Sequence, residues 1–386
     1  MIDVVCVGHI CLDFTPKFPS RNLQLKDIFV GGKQSDVEGM DISTGGSVAN
    51  TGVALNRLGI KTPLMAKVGD DEIGSLIGDV LIKKGGNGDY LKVSKGESSS
   101  YSIVIAVPGC DRIFLHSPAV NDTFTSDDID FSVIAQARLM HLGYPPLMRQ
   151  LYLNEGAELT KILKKAKECG ACTSIDTAYP DPSSQSGKSD WDKIFKNALP
   201  YTDIFTPSIE EILLMLDKPQ YDALKAKDDD ILKNITMEMI SKIGEKLIGM
   251  GAKIVVLKCG TLGYYVKTAS KEALSSMSII KNAEEWADKE LFSGIFYVEK
   301  VASATGAGDT SIAGFLASIL KGYKPEQAIN IACATGAYCV TSFGAVDAIV
   351  PLEEIAAKVD SGWEKRKVEV CAKDFTYCEQ YRIYTK

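Results

Sequence analysis

Short, nearly continuous apolar runs alternate with helical patterns along most of this chain, and that alternation restricts the fold more than any other feature. VVCVG (4–8), LMHLG (139–143) and IVVLK (254–258) have strand length. They lack the every-other-residue polarity of a sheet wetted on one face. Each is followed, after a loop, by apolar residues at helical spacing. Examples are GSVANTGVALNRLG (46–59), ELTKILKKAKECG (158–170) and TSIAGFLASILKG (310–322). The pattern predicts an α/β fold whose central sheet is mostly parallel and covered on both faces.

Two stretches break the rhythm. Residues 14–44 and 97–117 are polar and partly alternating, as in SYSIVIAV and RIFLH, and read as extended segments outside the main sheet. They predict a small β-sheet lid inserted in a large domain spanning 1–356. Residues 217–236 and 268–292, rich in Lys, Asp and Glu, read as surface insertions. Residues 357–386 read as a charged, aromatic C-terminal extension without assigned packing.

A formal net charge of -7 argues against nucleic acid or an anionic membrane surface as partner, without excluding a local phosphate site. No apolar run approaches the roughly 18 residues of a membrane span. The start, MIDVVCVGHICLDF, has no basic leader and reads as a first strand. The expectation is a cytoplasmic protein whose ten cysteines are reduced thiols. Cys169 and Cys172 have CxxC spacing, but they follow a helix and precede a strand, the reverse of a redox motif. They read as a helix-to-strand turn.

Three segments carry candidate chemistry. Gly306-Ala307-Gly308-Asp309 stands directly before a helical pattern, so the small residues form a turn into a helix. Free N–H groups and the positive dipole end favour an anion there. Asp309 beside a phosphoryl group would be repulsive unless it accepts a proton from an attacking hydroxyl. The alternative is a simple helix cap. Gly45, Gly46 and Asn50 form a second glycine turn leading into a helix, able to approach and hydrogen-bond a small polyol. Asp13 follows the first strand, and ligands of open α/β sheets bind at the carboxyl ends of strands.

Together these segments resemble the ribokinase-like (PfkB) carbohydrate kinase family, in the family's motif order from residue 2 to about 351. The resemblance implies a ribokinase-like three-layer sandwich with a β-sheet lid. It implies Asp309 as catalytic base, Gly306, Ala307 and Gly308 as the anion hole, and Asp13, Gly45, Gly46 and Asn50 as substrate-binding residues. HSPAVNDTF (116–124) resembles the stretch before the central domain, and Arg112-Ile-Phe the end of a lid strand. FTPSIEE (205–211) resembles the Asn-x-x-Glu motif, with Ser208 for Asn and Glu211 as the acid that organises magnesium and phosphate. Lys258, Gly260 and Gly263 resemble the nucleotide-side loop, and TSFGA (341–345) the loop beside adenine. ATP, Mg2+ and a sugar-like acceptor are the implied ligands, with dimerisation through the lids common among relatives.

Two departures blur the subfamily. The second signature begins Ser303-Ala304 where Asp-Thr is usual, so monovalent-cation activation is expected to be weak. Asp176-Thr-Ala-Tyr-Pro180 keeps only the first residue of Asp-x-Asn-x-Arg. A dinucleotide fingerprint at 306–311 lacks its third glycine, and no P-loop is present. The expected activity is ATP-dependent phosphorylation of a carbohydrate hydroxyl. A nucleoside kinase, or a non-catalytic sugar or nucleotide sensor of the same fold, stands as the alternative.

Overall fold

The computed structural model describes residues 2–19, 25–107, 113–366, 368 and 374–386. Arg112 lies outside these residues, as do 20–24 and 108–112 of the expected lid segments. The described strands are β1 (Ile2–Gly8), β2 (Cys11–Lys17), β3 (Gly39–Gly45), β4 (Leu64–Gly69), β5 (Tyr90–Ser94), β6 (Tyr101–Ile105), β7 (Ile113–Ser117), β8 (Ala137–Gly143), β9 (Cys172–Asp176), β10 (Ile204–Phe205), β11 (Ile254–Lys258), β12 (Tyr264–Thr268), β13 (Glu290–Ser293), β14 (Thr376–Cys378) and β15 (Ile383–Thr385).

The main sheet runs in the order β14-β15-β13-β12-β11-β10-β9-β8-β1-β4-β5. From β11 to β5 every pairing is parallel, and the β12, β13, β15 and β14 end is antiparallel. The continuous apolar runs have a direct cause. Along β1, Val4 and Cys6 belong to one apolar layer, while Val5 and Val7 belong to the layer on the opposite face. With helices on both faces, neither set of side chains meets water, and each fully buried Val stabilises by about 1.5–3 kcal/mol. Among the described residues no helix is long and apolar enough to cross a membrane.

β3, β2, β6 and β7 form a separate four-stranded sheet. It draws on the two segments expected as a lid, and β2 begins only three residues after β1 ends. Phe114 and Leu115 of β7 point to opposite faces and are both exposed, so this edge of the sheet is covered on neither side. Cys169 and Cys172 flank a turn between the helix Ala157–Glu168 and β9, and both are free thiols.

Two segments differ from expectation. Residues 268–292 are not simply a surface insertion. Leu274, Met277, Ile279 and Trp286 are buried, and the stretch runs into β13, which is buried throughout. Their charged neighbours lie outward and mask the apolar set in the sequence. Residues 357–386 are woven into the main body. The helix Leu352–Asp360 crosses the expected boundary, and β15 pairs with β13. Lys365 ties this segment down, donating to Ser293 Oγ (2.6 Å), Asn330 Oδ1 (2.6 Å) and the Arg382 carbonyl (2.9 Å).

Candidate active site

The parallel strands end together, and their carboxyl ends supply one cluster of polar groups. β8 leads to Tyr144, β9 ends in Asp176 and β11 ends in Lys258. Opposite them, Gly306 takes a left-handed φ of 78° and turns the chain into the helix Ala307–Lys321. A side chain at Gly306 would also strike Ala345, so glycine is required there on two counts. The Ala307 N–H donates to the Ala304 carbonyl at 3.2 Å. Helix geometry leaves the Gly308 and Asp309 N–H groups without an intrahelical partner, whereas that of Ala307 is already used. Ser303 is buried, and its hydroxyl accepts from the Thr305 N–H at 3.1 Å, a local bond within the same turn.

Asp309 is only 4% exposed and is met by three donors. Tyr144 OH donates to Oδ1 at 2.7 Å, Asn50 Nδ2 to Oδ2 at 2.9 Å, and Thr51 Oγ1 approaches Oδ1 at 3.5 Å. Asn50 and Thr51 come from the first turns of the helix Ser47–Arg57, which follows the Gly45–Gly46 turn. Tyr144 holds a left-handed φ of 65°, a conformation that costs a non-glycine residue about 1–3 kcal/mol. Its N–H donates to the Asp176 carbonyl at 3.1 Å, which helps fix that conformation.

Lys258 pairs with Asp176 at 2.5 Å, both buried. The lysine chain also lies against Gly308, where a Cβ would stand 3.9 Å from Nζ. Glu211 sits at the start of the helix Ile209–Leu216. Its Oε2 accepts from Thr177 Oγ1 at 2.6 Å and from the Ser208 N–H at 2.9 Å. In return Ser208 Oγ accepts from the Glu211 N–H at 3.2 Å, a reciprocal capping box. The acid is thus held in place by the helix start, and Ser208 spends its hydroxyl on the cap.

Burial sets the electrostatics. It raises the Asp309 carboxyl above its ordinary value, against the opposing pull of Lys258 and the bonds from Tyr144 and Asn50. Burial also raises Asp176, with Lys258 opposing. Burial alone would push the Lys258 ammonium down, but Asp176, Glu211 and Asp309 outweigh it and hold it above the usual lysine value. Tyr144 is pushed far up by burial and by Asp309, so it stays protonated and donates.

A cavity of about 620 Å³ opens onto this cluster. Lys258, Gly260, Ser208, Glu211, Gly306–Gly308 and Asp309 all line it. Its far wall is apolar, with Phe296, Val298, Val301, Ala337 and Val340. Gly263 is not among the lining residues. Its φ of 130° and the Ser293 carbonyl against it account for the glycine by packing. Residues 341–345 meet the anion turn through Ala345.

Asp13, Gly45 and Gly46 lie on the other side, where the lid sheet meets β1. Asp13 is half-buried on β2 and directly opposite Ser43 of β3. Gly45 passes so close to the Asp13 carboxylate that any side chain would collide with it. Burial raises the Asp13 carboxyl, with Cys11 and Ser102 bonds opposing. The two sides are linked through Tyr144, whose ring stands 5.8 Å from that of His9 while its hydroxyl holds Asp309.

Sequence patterns do not mark Tyr144 or Thr51, and they mark Asp176 only as a motif remnant. Tyr144 is separated from Asp309 by 165 residues, so only the fold brings them together. The available signal was position, because Tyr144 directly follows a strand at its carboxyl end.

The family model described as pfkB family carbohydrate kinase matches residues 1–351. An uncharacterized sugar kinase of Archaeoglobus fulgidus is 28% identical over 293 residues, covering 76% of this chain and 96% of its own. A probable chloroplastic fructokinase-6 of Arabidopsis thaliana is 24% identical, covering 91% and 81%. Among solved structures, Arabidopsis thaliana ribokinase complexed with ribose and ATP superposes with a TM-score of 0.67 at 18% identity, covering 92% of this chain and 98% of that one. The fold is therefore the ribokinase-like α/β architecture expected from the motif order. The chain belongs to the pfkB family of carbohydrate kinases.

Proposed function

We propose that this ATP-dependent sugar kinase transfers the γ-phosphoryl group of ATP to a sugar hydroxyl, with Asp309 as the general base. One observation carries the reading: a buried carboxylate in the first turn of a helix, held by three donors, at the polar end of a cavity of nucleotide size. Asp309 takes the hydroxyl proton, the sugar oxygen bonds to phosphorus, and the bond to the ADP oxygen breaks. Lys258 and the Gly308 and Asp309 N–H groups stand where negative charge on the transferred group needs donors. The apolar far wall accepts the adenine.

Magnesium fits the donor set. Asp176, Glu211 and Asp309 all act on the one Lys258, and Asp176 Oδ2 is buried without a partner. Glu211, already fixed by Ser208 and Thr177, would hold the ion, directly or through water, with Asp176 behind it. When bound, the ion neutralises charge on the phosphates. Glu211→Gln should raise the magnesium concentration for half-maximal rate several-fold and leave sugar affinity unchanged. An unaltered magnesium titration would assign Glu211 to the helix cap alone.

Asp13 is the proposed acceptor anchor, at the lid side of Tyr144. Asp13→Ala should weaken acceptor binding in calorimetry and spare ATP binding. Equal acceptor affinity in the variant would make Asp13 structural.

The Tyr144 bond has a consequence for pH dependence. Asp309 acts when deprotonated, so turnover rises with pH through its pKa. Burial raises that pKa, so the acid limb lies above the usual carboxylate value of about 3.9. Tyr144 stabilises the charged form, so Tyr144→Phe should move the limb to still higher pH. A hydrogen bond to a charged group contributes about 1.5–3 kcal/mol, or about one to two pH units. A superimposable pH–rate profile would show that the bond does not tune the base.

ADP release measured across pentoses, hexoses and nucleosides tests the acceptor class. Sugar-dependent release supports the reading. Release with nucleosides alone favours a nucleoside kinase, and none with any acceptor favours a sensor.

A further inference from the structure

At the junction of β1 with the lid, three side chains converge whose chemistry the phosphoryl transfer does not use. His9 follows β1, Cys11 opens β2 and His116 stands on β7. One nitrogen of each histidine and the Cys11 sulfur all lie within 4.8 Å of one another. The two Nε2 atoms are 3.4 Å apart. Nitrogens bound at about 2.0–2.1 Å to a tetrahedral ion are separated by about 3.4 Å, so the pair already has the required spacing.

Neighbouring groups fix the positions of the two rings. His116 Nδ1 is 3.1 Å from Ser102 Oγ, which leaves Nε2 as the atom facing the cluster. Gly46, with a φ of 89°, closes over His9, where any side chain would strike the Nδ1 edge of the ring. Cys11 Sγ donates to Asp13 Oδ1 at 3.3 Å, so a carboxylate oxygen adjoins the sulfur.

We propose that His9 Nε2, Cys11 Sγ and His116 Nε2 bind a single thiophilic divalent cation of the zinc class, with a water as fourth ligand. Imidazole nitrogen and thiolate sulfur select zinc over magnesium, whose preference is for oxygen. Binding releases the Cys11 proton to solvent and leaves a metal–thiolate bond. The site ties lid strand β7 to the end of β1 and sets a cation beside Asp13. It is chemically separate from the magnesium position near Glu211.

The test uses the full chain, stripped of metal and without nucleotide or sugar, so its outcome does not depend on the kinase reading. Zn2+ is titrated in competition with a chromophoric chelator, and Co2+ is used as a spectroscopic stand-in. The expected result is one tightly bound equivalent of Zn2+, and intense tetrahedral visible bands plus a thiolate charge-transfer band with Co2+. Cys11→Ser should abolish the charge-transfer band. His116→Ala changes an exposed side chain and should fold. It should weaken Zn2+ by more than the roughly 10–100-fold typical of losing an outer-shell partner. Ser102→Ala, which removes such a partner, should fall within that range. No stoichiometric Zn2+ binding, or binding unchanged in Cys11→Ser and His116→Ala, overturns the proposal.

Discussion

Asp309→Asn is expected to lower turnover by about 10²–10⁴, the usual contribution of a positioned general base. The amide keeps the size of the carboxylate and can still sit between Asn50 and Tyr144, with some donors turned to face donors. It cannot take a proton. ATP affinity should change little, because the cavity walls and Lys258 remain. Removing a buried carboxyl raised by desolvation does not create an unpaired charge, so the fold should persist. Near wild-type turnover in a folded variant would reassign Asp309 to capping its helix. Calorimetry with ATP alone separates lost chemistry from lost binding.

Lys258→Met is the second large effect, and it falls on stability as well as rate. Lys258 is the counter-charge of Asp176, and both are buried. Removing one partner of a buried ion pair costs about 3–5 kcal/mol, because the other charge is left uncompensated. Glu211 and Asp309 act on the same ammonium, so the loss also concentrates negative charge where phosphates must enter. The expected results are a much lower denaturant midpoint and strongly reduced turnover. Adding Asp176→Asn removes the stranded charge, so the double variant should recover much of the stability and little of the turnover. Recovery of both would make the pair a structural ion pair with no part in transfer. An unchanged midpoint in the single variant would contradict the burial argument.

The legible part of this protein was local. The apolar runs at β1, β8 and β11, the turn at Gly306 and the glycine pair at 45–46 are each written in a few consecutive residues. Their order along the chain carried the family. What escaped depends on distance through the fold. Tyr144 reaches Asp309 only because β8 ends beside the helix Ala307–Lys321, and its left-handed backbone has no glycine to mark it. The Ser208–Glu211 capping box was readable as Ser-x-x-Glu, yet the second bond from Thr177 requires β9 beside β10. The charged surface of residues 268–292 hid a buried strand, since composition averages over faces that the fold separates. The closing strands β14 and β15 are three residues each, too short for a periodicity to register.

Phosphoryl transfer from ATP to a sugar hydroxyl, driven by Asp309 and the helix turn beside it, has a direct readout. The most direct measurement is phosphorus NMR of the reaction mixture with Mg2+, ATP and each sugar that stimulates ADP release, run in parallel with wild type and Asp309→Asn. The expected result is a sugar monophosphate growing in step with ADP for wild type, and growing about 10²–10⁴ times more slowly for the variant. ADP with free inorganic phosphate and no sugar phosphate, or equal product from both proteins, would contradict it.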